Sequence, residues 1–263
     1  SGLTWSKVYP CNNYTIAIDT NGNLYTWGDA TNYRTGQNTE SGDGHAVKIG
    51  TGFTSACASF ASTGYAIKSN GTLWTWGMNN NYGTAQGVNT GYCKVPTQIG
   101  TDTDWVQVVA PYDYSFIALK TNGKIYACGR NASYSLLNGG LSLTTLTQIS
   151  TDTDWKFLNV GSNNGAGVAA IKTNNDVYVW GSSPSYQNAN NSTATIGTPT
   201  KNTYLTNSIG IAKAYDFGFA LISFAGTIAS GQTICYNGNP AAFTSVADAS
   251  GGVTGYTYQW QYS

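Results

Sequence analysis

Apolar and polar positions alternate along this chain in short runs and never settle into a sustained helical period. Tyr14-Thr15-Ile16-Ala17-Ile18-Asp19, Tyr65-Ala66-Ile67-Lys68, Phe116-Ile117-Ala118-Leu119-Lys120 and Val168-Ala169-Ala170-Ile171-Lys172 each read as a strand. A second strand follows each one: Leu24-Tyr25-Thr26-Trp27-Gly28, Leu73-Trp74-Thr75-Trp76-Gly77, Ile125-Tyr126-Ala127-Cys128-Gly129 and Val177-Tyr178-Val179-Trp180-Gly181. Between the two lies Asn21-Gly22, Asn70-Gly71, Asn122-Gly123 or Asn174-Asn175. Asn-Gly suits a type I′ hairpin turn because both central residues need positive φ, and Asn-Asn makes the same turn at higher cost.

The closing glycines of these hairpins are 49, 52 and 52 residues apart, so the chain is a tandem repeat of about fifty residues. Upstream of a hairpin, Trp5 to Val8, Trp105 to Ala110 and Trp155 to Val160 supply a further strand, with Trp5, Trp105 and Trp155 as repeated core anchors. Downstream, a loop rich in Gly, Asn, Ser and Thr leads to Val95-Pro96-Thr97-Gln98-Ile99, Leu146-Thr147-Gln148-Ile149 or Thr198-Pro199-Thr200, which carry the chain to the next unit. No such unit can bury its own aromatic face, so neighbouring units must stack. Trp27, Trp76 and Trp180 then belong in the core, and Cys128, which stands in one Trp position, is a smaller buried substitute.

These motifs resemble the β-propeller repeats of the regulator of chromosome condensation type, with their Gly-x-hydrophobic-aromatic-x-Trp-Gly core and Pro-containing connector. The resemblance covers about residues 5–223. It implies an all-β, β-propeller-like array of about four to five blades, where the family norm is seven. The units are expected at about 5–50, 51–100, 101–150 and 151–200, with a partial fifth at 201–224, together making a repeat domain over 1–224. Such repeats serve exchange factors, enzyme inhibitors and bacterial and phage proteins, and no residue here matches the family's nucleotide-exchange role. The family's glycine-rich stretch after Trp-Gly is replaced by loops that carry Tyr33, Tyr82, Tyr134 and Tyr186, each five residues after its closing glycine.

Past Ala225 the pattern changes. Gly226 to Cys235 and Tyr256-Thr257-Tyr258-Gln259-Trp260-Gln261-Tyr262 resemble the start of an immunoglobulin-like, polycystic-kidney-disease-type domain of Bacteroidetes surface proteins, which implies an incomplete β-sandwich segment at 225–263 with Trp260 in its core. Such a fragment would place the repeats on a longer multidomain fibre.

Composition sharpens the functional reading. Only 9% of the residues are charged, and the twelve basic and twelve acidic side chains cancel. Scattered lysines make no basic stripe, which excludes phosphate-backbone recognition and hence a nucleic-acid partner. Solubility resting on hydroxyls and amides fits an extracellular, cell-surface or virion protein. No run approaches the roughly twenty apolar residues of a membrane-spanning helix, and Ser1 opens no leader pattern, so a soluble, processed chain is expected. Cys11, Cys57, Cys93, Cys128 and Cys235 follow no metal-ligand spacing and are expected to be mostly buried thiols, with room for one disulfide.

Candidate chemistry is sparse. Glu40, Asp43 and His45 share one loop that has no counterpart in the other units, and it reads as a solvated loop. Asp102-Thr103-Asp104 and Asp152-Thr153-Asp154 could share calcium, but aspartates also close tight turns, and that account is preferred. Gly165-Ala166-Gly167-Val168-Ala169-Ala170 matches a dinucleotide fingerprint yet runs into a strand. No Gly-x-Ser-x-Gly elbow occurs.

The expected function is therefore non-catalytic recognition or adhesion toward a protein or glycan on a cell surface, with Tyr33, Tyr82, Tyr134 and Tyr186 as the ligand-contacting residues. No cofactor and no metal is expected. Self-assembly or continuation into further domains would fit a structural spacer, the alternative reading. A polysaccharide-active enzyme using Asp113 or Asp216 comes third.

Overall fold

The structure, a computed structural model, describes residues 2–60, 62–111, 113–131, 134–160, 167–182, 193–203, 210–213 and 219–222. The first sheet contains β1 (Trp5–Pro10), β2 (Tyr14–Asp19), β3 (Leu24–Gly28) and β4 (Asp43–Gly50). The second contains β5 (Phe53–Ala58), β6 (Thr63–Lys68), β7 (Leu73–Met78) and β8 (Tyr92–Ile99). The third contains β9 (Trp105–Val109), β10 (Ser115–Lys120), β11 (Ile125–Gly129) and β12 (Leu143–Gln148), and the fourth β13 (Trp155–Val160), β14 (Val168–Lys172), β15 (Val177–Gly181) and β16 (Ile196–Lys201). Each is an antiparallel meander whose spatial order follows the sequence. A two-stranded piece, β17 (Gly210–Lys213) and β18 (Phe219–Ile222), follows as the start of a fifth unit.

The hairpins form at these pairs, but the type I′ expectation is corrected: only the second residue of each pair, Gly22, Gly71, Gly123 or Asn175, has positive φ, and its N–H donates to the carbonyl of Asp19, Lys68, Lys120 or Lys172 three residues earlier, so it closes the turn from its last position. The downstream segment of each unit is more than a connector. It is a full fourth strand on the outer edge, and Pro96 is tolerated there because an edge strand leaves half of its N–H groups unpaired. Few of its residues are buried, which is why its alternation is weak in the sequence. Asp43 and His45 belong to such an edge strand, not to a loop.

The core lies between sheets. Tyr14, Ile16, Ile18 and Leu24 of the first sheet pack on Phe53, Ala56, Ala66 and Trp76 of the second. Tyr65, Ile67, Leu73 and Ile99 pack on Trp105, Val108, Phe116 and Ala118 of the third. Ile117, Leu119 and Ile125 pack on Trp155, Leu158, Val168 and Trp180 of the fourth. Side chains alternate across each second strand, so one face of a sheet meets its predecessor and the other meets its successor. The predecessor-facing position is Ala17, Ala66, Ala118 and Ala170 in the four sheets, all buried, and its small side chain leaves depth for the aromatic residues beside it. The innermost strands lie side by side and are tied by side chains: Gln107 donates to the Leu158 carbonyl at 2.7 Å and accepts from the Leu158 N–H at 2.8 Å, while the Lys7 ammonium donates to the Thr54 carbonyl at 2.6 Å.

The predicted core tryptophans divide. Trp76, Trp105, Trp155 and Trp180 are buried, whereas Trp5 and Trp27 are only half-buried. Both sit on the predecessor-facing side of the first sheet, which no described sheet covers. Val8 makes the same point, at 51% exposure where its counterparts Ala56, Val108 and Leu158 show 5%, 5% and 1%. Cys128 is fully buried, Cys11, Cys57 and Cys93 are partly so, and all four are free thiols, while Cys235 lies outside the described residues. Also outside them are Tyr186, Asp216, Trp260, the segment 225–263 and the Gly165-Ala166 start of the dinucleotide-like run.

Candidate functional site

After the closing glycine of each of the first three sheets the chain turns sharply. Asn32 and Tyr33, then Asn81 and Tyr82, adopt left-handed φ in succession, and Tyr134 does the same in the third sheet. Three residues later Gly36, Ala85 and Leu137 repeat that conformation, and their N–H groups donate to the carbonyls of Tyr33, Tyr82 and Tyr134. The loops of the second and third sheets are organised from within by buried asparagines. Asn79 Oδ1 accepts the Thr84 N–H at 3.1 Å, and Asn131 Oδ1 accepts the Leu136 N–H at 2.8 Å. Both stand two residues after the closing glycine, a signal the sequence reading missed.

Each described tyrosine loop leans on the outer strand of the following sheet. Tyr33 stacks on Tyr92 of β8 with centroids 5.0 Å apart, and the Lys94 ammonium lies 4.8 Å over its ring. The Tyr82 turn packs on β12, and Tyr134 lies under Gly140 and close to Gly197 of β16. The three tyrosines therefore recur at one place on the outer rim. Tyr33 and Tyr82 are half-buried, and Tyr134 and Tyr92 are the more exposed rings.

The loop backbones also receive the next sheet. Trp76 Nε1–H donates to the Arg34 carbonyl at 2.9 Å, and Trp180 Nε1–H donates to the Ser135 carbonyl at 2.7 Å. Arg34 and Ser135 each follow a loop tyrosine. The equivalent carbonyl in the second sheet, Gly83, is taken instead by the Tyr65 hydroxyl at 2.8 Å. Burial pushes the Tyr65 and Tyr14 hydroxyls well above the usual phenol range and the Cys11 and Cys128 thiols up to about 12, so these groups stay protonated.

At the opposite, hairpin-turn end each sheet builds an aromatic corner. Trp5 meets Tyr25, Phe53 meets Trp74, Trp105 meets Tyr126 and Trp155 meets Tyr178, all edge to face, with centroids 5.3 to 6.1 Å apart. In three sheets a lysine two residues before the turn lays its ammonium against that corner. Lys68 sits 3.9 Å from Trp74, Lys120 4.7 Å from Trp105, and Lys172 4.8 Å from Trp155. This is where the Asp-Thr-Asp motifs act. Asp102 and Asp104 hold Lys120 at 2.7 and 2.9 Å, and Asp152 and Asp154 hold Lys172 at 2.8 and 3.0 Å. The preferred turn-closing account is thus superseded by an ion-pair clamp, and the lysines two residues before Asn70, Asn122 and Asn174 were the overlooked signal. Burial works to depress each ammonium, but the paired carboxylates outweigh it and raise both lysine pKa values.

The other candidate groups are dispersed. His45 is 95% exposed and bonded to Asp43. Asp113 lies 3.8 Å from Arg130, and burial, offset only in part by that guanidinium, raises its pKa. Among the described residues no cluster of three or more His, Cys, Asp or Glu side chains is placed to hold a metal.

No protein-family model matches the sequence, and no curated protein matches it. Solved structures do. Prp20p from Saccharomyces cerevisiae, described with its binding to Gsp1p and histones, superposes with a TM-score of 0.67 at 16% identity over 83% of this chain and 55% of its own. The yeast protein RCC1 (Prp20) in complex with Kap60 gives 0.67 at 17% identity over 85% and 55%. The fold is a β-propeller of the regulator of chromosome condensation type. Human WBSCR16 matches the propeller likewise, with a TM-score of 0.69 at 14% identity over 80% of this chain and 56% of its own. The chain thus spans a little over half the length of these propellers, and each of its four-stranded sheets is one blade.

Proposed function

We propose that the chain is a non-catalytic recognition module that binds a protein or glycan partner as part of a secreted, cell-surface or phage-fibre protein. The observation that carries this reading is the recurrence, on three successive blades, of a tyrosine loop braced on the next blade's outer strand, with aromatic rings left partly exposed among Asn, Ser and Thr. Rigid aromatic surface of this kind binds at low entropic cost, and low charge permits close approach without desolvating ions. Protein is the favoured partner class, because propellers of this fold include Prp20p, which is described as binding Gsp1p and histones.

A spacer role is the second reading, and the bracing of Tyr33 on Tyr92 and Lys94 favours it, since those rings already serve blade-to-blade packing. The two separate on one experiment. The full chain and a variant carrying Tyr92→Ser and Tyr134→Ser, the two most exposed rings of the rim, are applied to whole bacterial cells and a glycan array, with folding verified by circular dichroism. Binding lost in the folded variant supports recognition through the rim. Absence of binding by the folded parent overturns it in favour of the spacer.

A further inference from the structure

Lys68 occupies its aromatic corner without the clamp that holds its two siblings. Phe53 pairs with Lys68 as Trp105 pairs with Lys120 and Trp155 with Lys172. The same backbone bond closes all three corners, since the N–H groups of Ser69, Thr121 and Thr173 donate to the carbonyls of Gly52, Asp104 and Asp154 at 2.8, 2.9 and 2.8 Å. The segment that enters the second blade is shorter, however. Phe53 stands five positions beyond Lys48, the pair of Tyr25, whereas Trp105 and Trp155 stand seven beyond Gln98 and Gln148, the pairs of Trp74 and Tyr126. Where the later segments run Asp-Thr-Asp into the tryptophan, this one runs Gly50-Thr51-Gly52 into Phe53 and brings no carboxylate.

The Lys68 ammonium lies 3.9 Å from the centre of the Trp74 ring and 4.9 Å from that of Phe53. Among the described residues no carboxylate pairs with it and no hydrogen-bond acceptor holds it. The Trp74 indole is fixed in place, its N–H donating to Thr72 Oγ1 at 2.8 Å while that hydroxyl donates to Asn70 Oδ1 at 2.7 Å. The ground the missing residues would fill is open. A Cβ at Gly52 would meet nothing nearer than Ser69 Oγ, at 4.0 Å, and Thr51, Ser69 and Asn70 are exposed, with Lys68 and Trp74 half-buried. The first blade packs on Phe53, so the opening comes from the short segment itself.

We propose that this second-blade corner, Lys68 over Trp74 beside Gly50-Thr51-Gly52, binds an acidic segment of a protein partner with carboxylates at alternate positions, Asp-x-Asp, which enters where the later blades carry their own Asp-Thr-Asp. Blades three and four specify the ligand, because both hold the equivalent ammonium with two carboxylates of one short segment at 2.7 to 3.0 Å. A cation already laid against a ring has little further side-chain freedom to lose, so charge-assisted bonds to it form at low entropic cost. The Ser69 hydroxyl stands at the same opening as a further donor. The site lies at the hairpin-turn end of the blade, away from the tyrosine loops, and does not depend on their function.

The test follows the Trp74 indole N–H and the lysine Cε signals of the full chain by NMR at constant ionic strength, during titration with the peptide acetyl-Ala-Asp-Thr-Asp-Ala amide, its Asn-Thr-Asn counterpart and glucuronate. The acidic peptide should shift the Trp74 and Lys68 signals saturably in the millimolar range, leaving those of Lys120 and Lys172 in place, and the Asn peptide should not. Glucuronate binding as tightly as the acidic peptide overturns a protein source in favour of an acidic glycan. Lys68→Met should weaken peptide binding, read on Trp74, at least about fivefold. Replacing Gly50-Thr51-Gly52 by the sequence of residues 100–104 installs the clamp within the chain and should weaken binding by a similar factor, so the proposal stays testable if the methionine variant misfolds. Lys156→Met, at an exposed lysine of the fourth blade, should bind as the parent does. No saturable shift, equal response to the Asn peptide, or parental binding by both folded corner variants overturns the proposal.

Discussion

In the second blade the large ring that meets the preceding blade is carried by the third strand, as Trp76, and the residue paired with it is Gly64. In the third blade the ring is carried by the second strand, as Phe116, and its pair is Cys128. A Cβ at Gly64 would overlap the Trp76 ring, so the glycine is there to make room. The polar obligation moves with the ring. Trp76 caps the Arg34 carbonyl of the blade before it, whereas in the next interface Tyr65 of the earlier blade caps Gly83 and stacks on Phe116 at 4.8 Å. What the repeat conserves is the volume between two sheets and a donor for one carbonyl. It does not conserve the residue that supplies either.

Truncating the second blade's ring should have the largest effect. Trp76→Ala is expected to cost about 3–5 kcal/mol in urea denaturation, since it opens a cavity and leaves the Arg34 carbonyl unpaired, and Phe116→Ala should fall in the same range. The exchange itself can be tested next. Gly64→Phe alone should cost about 1–3 kcal/mol or more through overpacking, but joined with Trp76→Cys it rebuilds the third blade's arrangement. The double variant should then be more stable than the summed single effects predict by about 0.5–3 kcal/mol, and strict additivity would refute the equivalence of the two arrangements.

Trp27 gives the third test, because it occupies the Trp76 position on a face that no described blade covers. Trp27→Ala should cost less than half as much as Trp76→Ala in the same titration.

The smallest effect concerns the lysine clamps and shows only at high pH. Lys120 and Lys172 have folded pKa values raised above the ordinary lysine value, so their contribution is complete below the unfolded value and is lost as pH rises through the folded one. Melting temperature should fall above about pH 10.5, and Lys120→Met should flatten that fall. Buried Tyr14 and Tyr65 also favour their protonated forms and weaken the fold in the same window, so the difference between variant and parent isolates the ammonium.

Much of this architecture was legible in the sequence. The Asn-Gly turns and the Trp-Gly strands located the hairpins because turn chemistry and period-two alternation are local properties. Where burial depends on a neighbour, the sequence misled. Trp5 and Trp27 carry the same residue type as Trp155 and Trp180, and only the absence of a described sheet before the first blade leaves them half-buried. The outer strands were under-read because an edge strand with one solvated face has little apolar signal. At the rim, the tyrosine spacing was visible, but not that each ring braces the next blade. The lysine corners went unnoticed because a cation held between rings and carboxylates has no motif beyond its fixed distance to the turn, and because Asp19 breaks the series at its first member.

The direction of the blade-to-blade anchors also bears on how the molecule is made. Trp76 and Trp180 both reach back to a carbonyl of the blade that precedes them in the chain. During synthesis the second and fourth blades therefore find their receptacles already translated, and the array can grow as the ribosome delivers it. Stalled nascent chains should gain protease resistance in steps of one repeat, and a single late transition at full length would argue against such vectorial assembly.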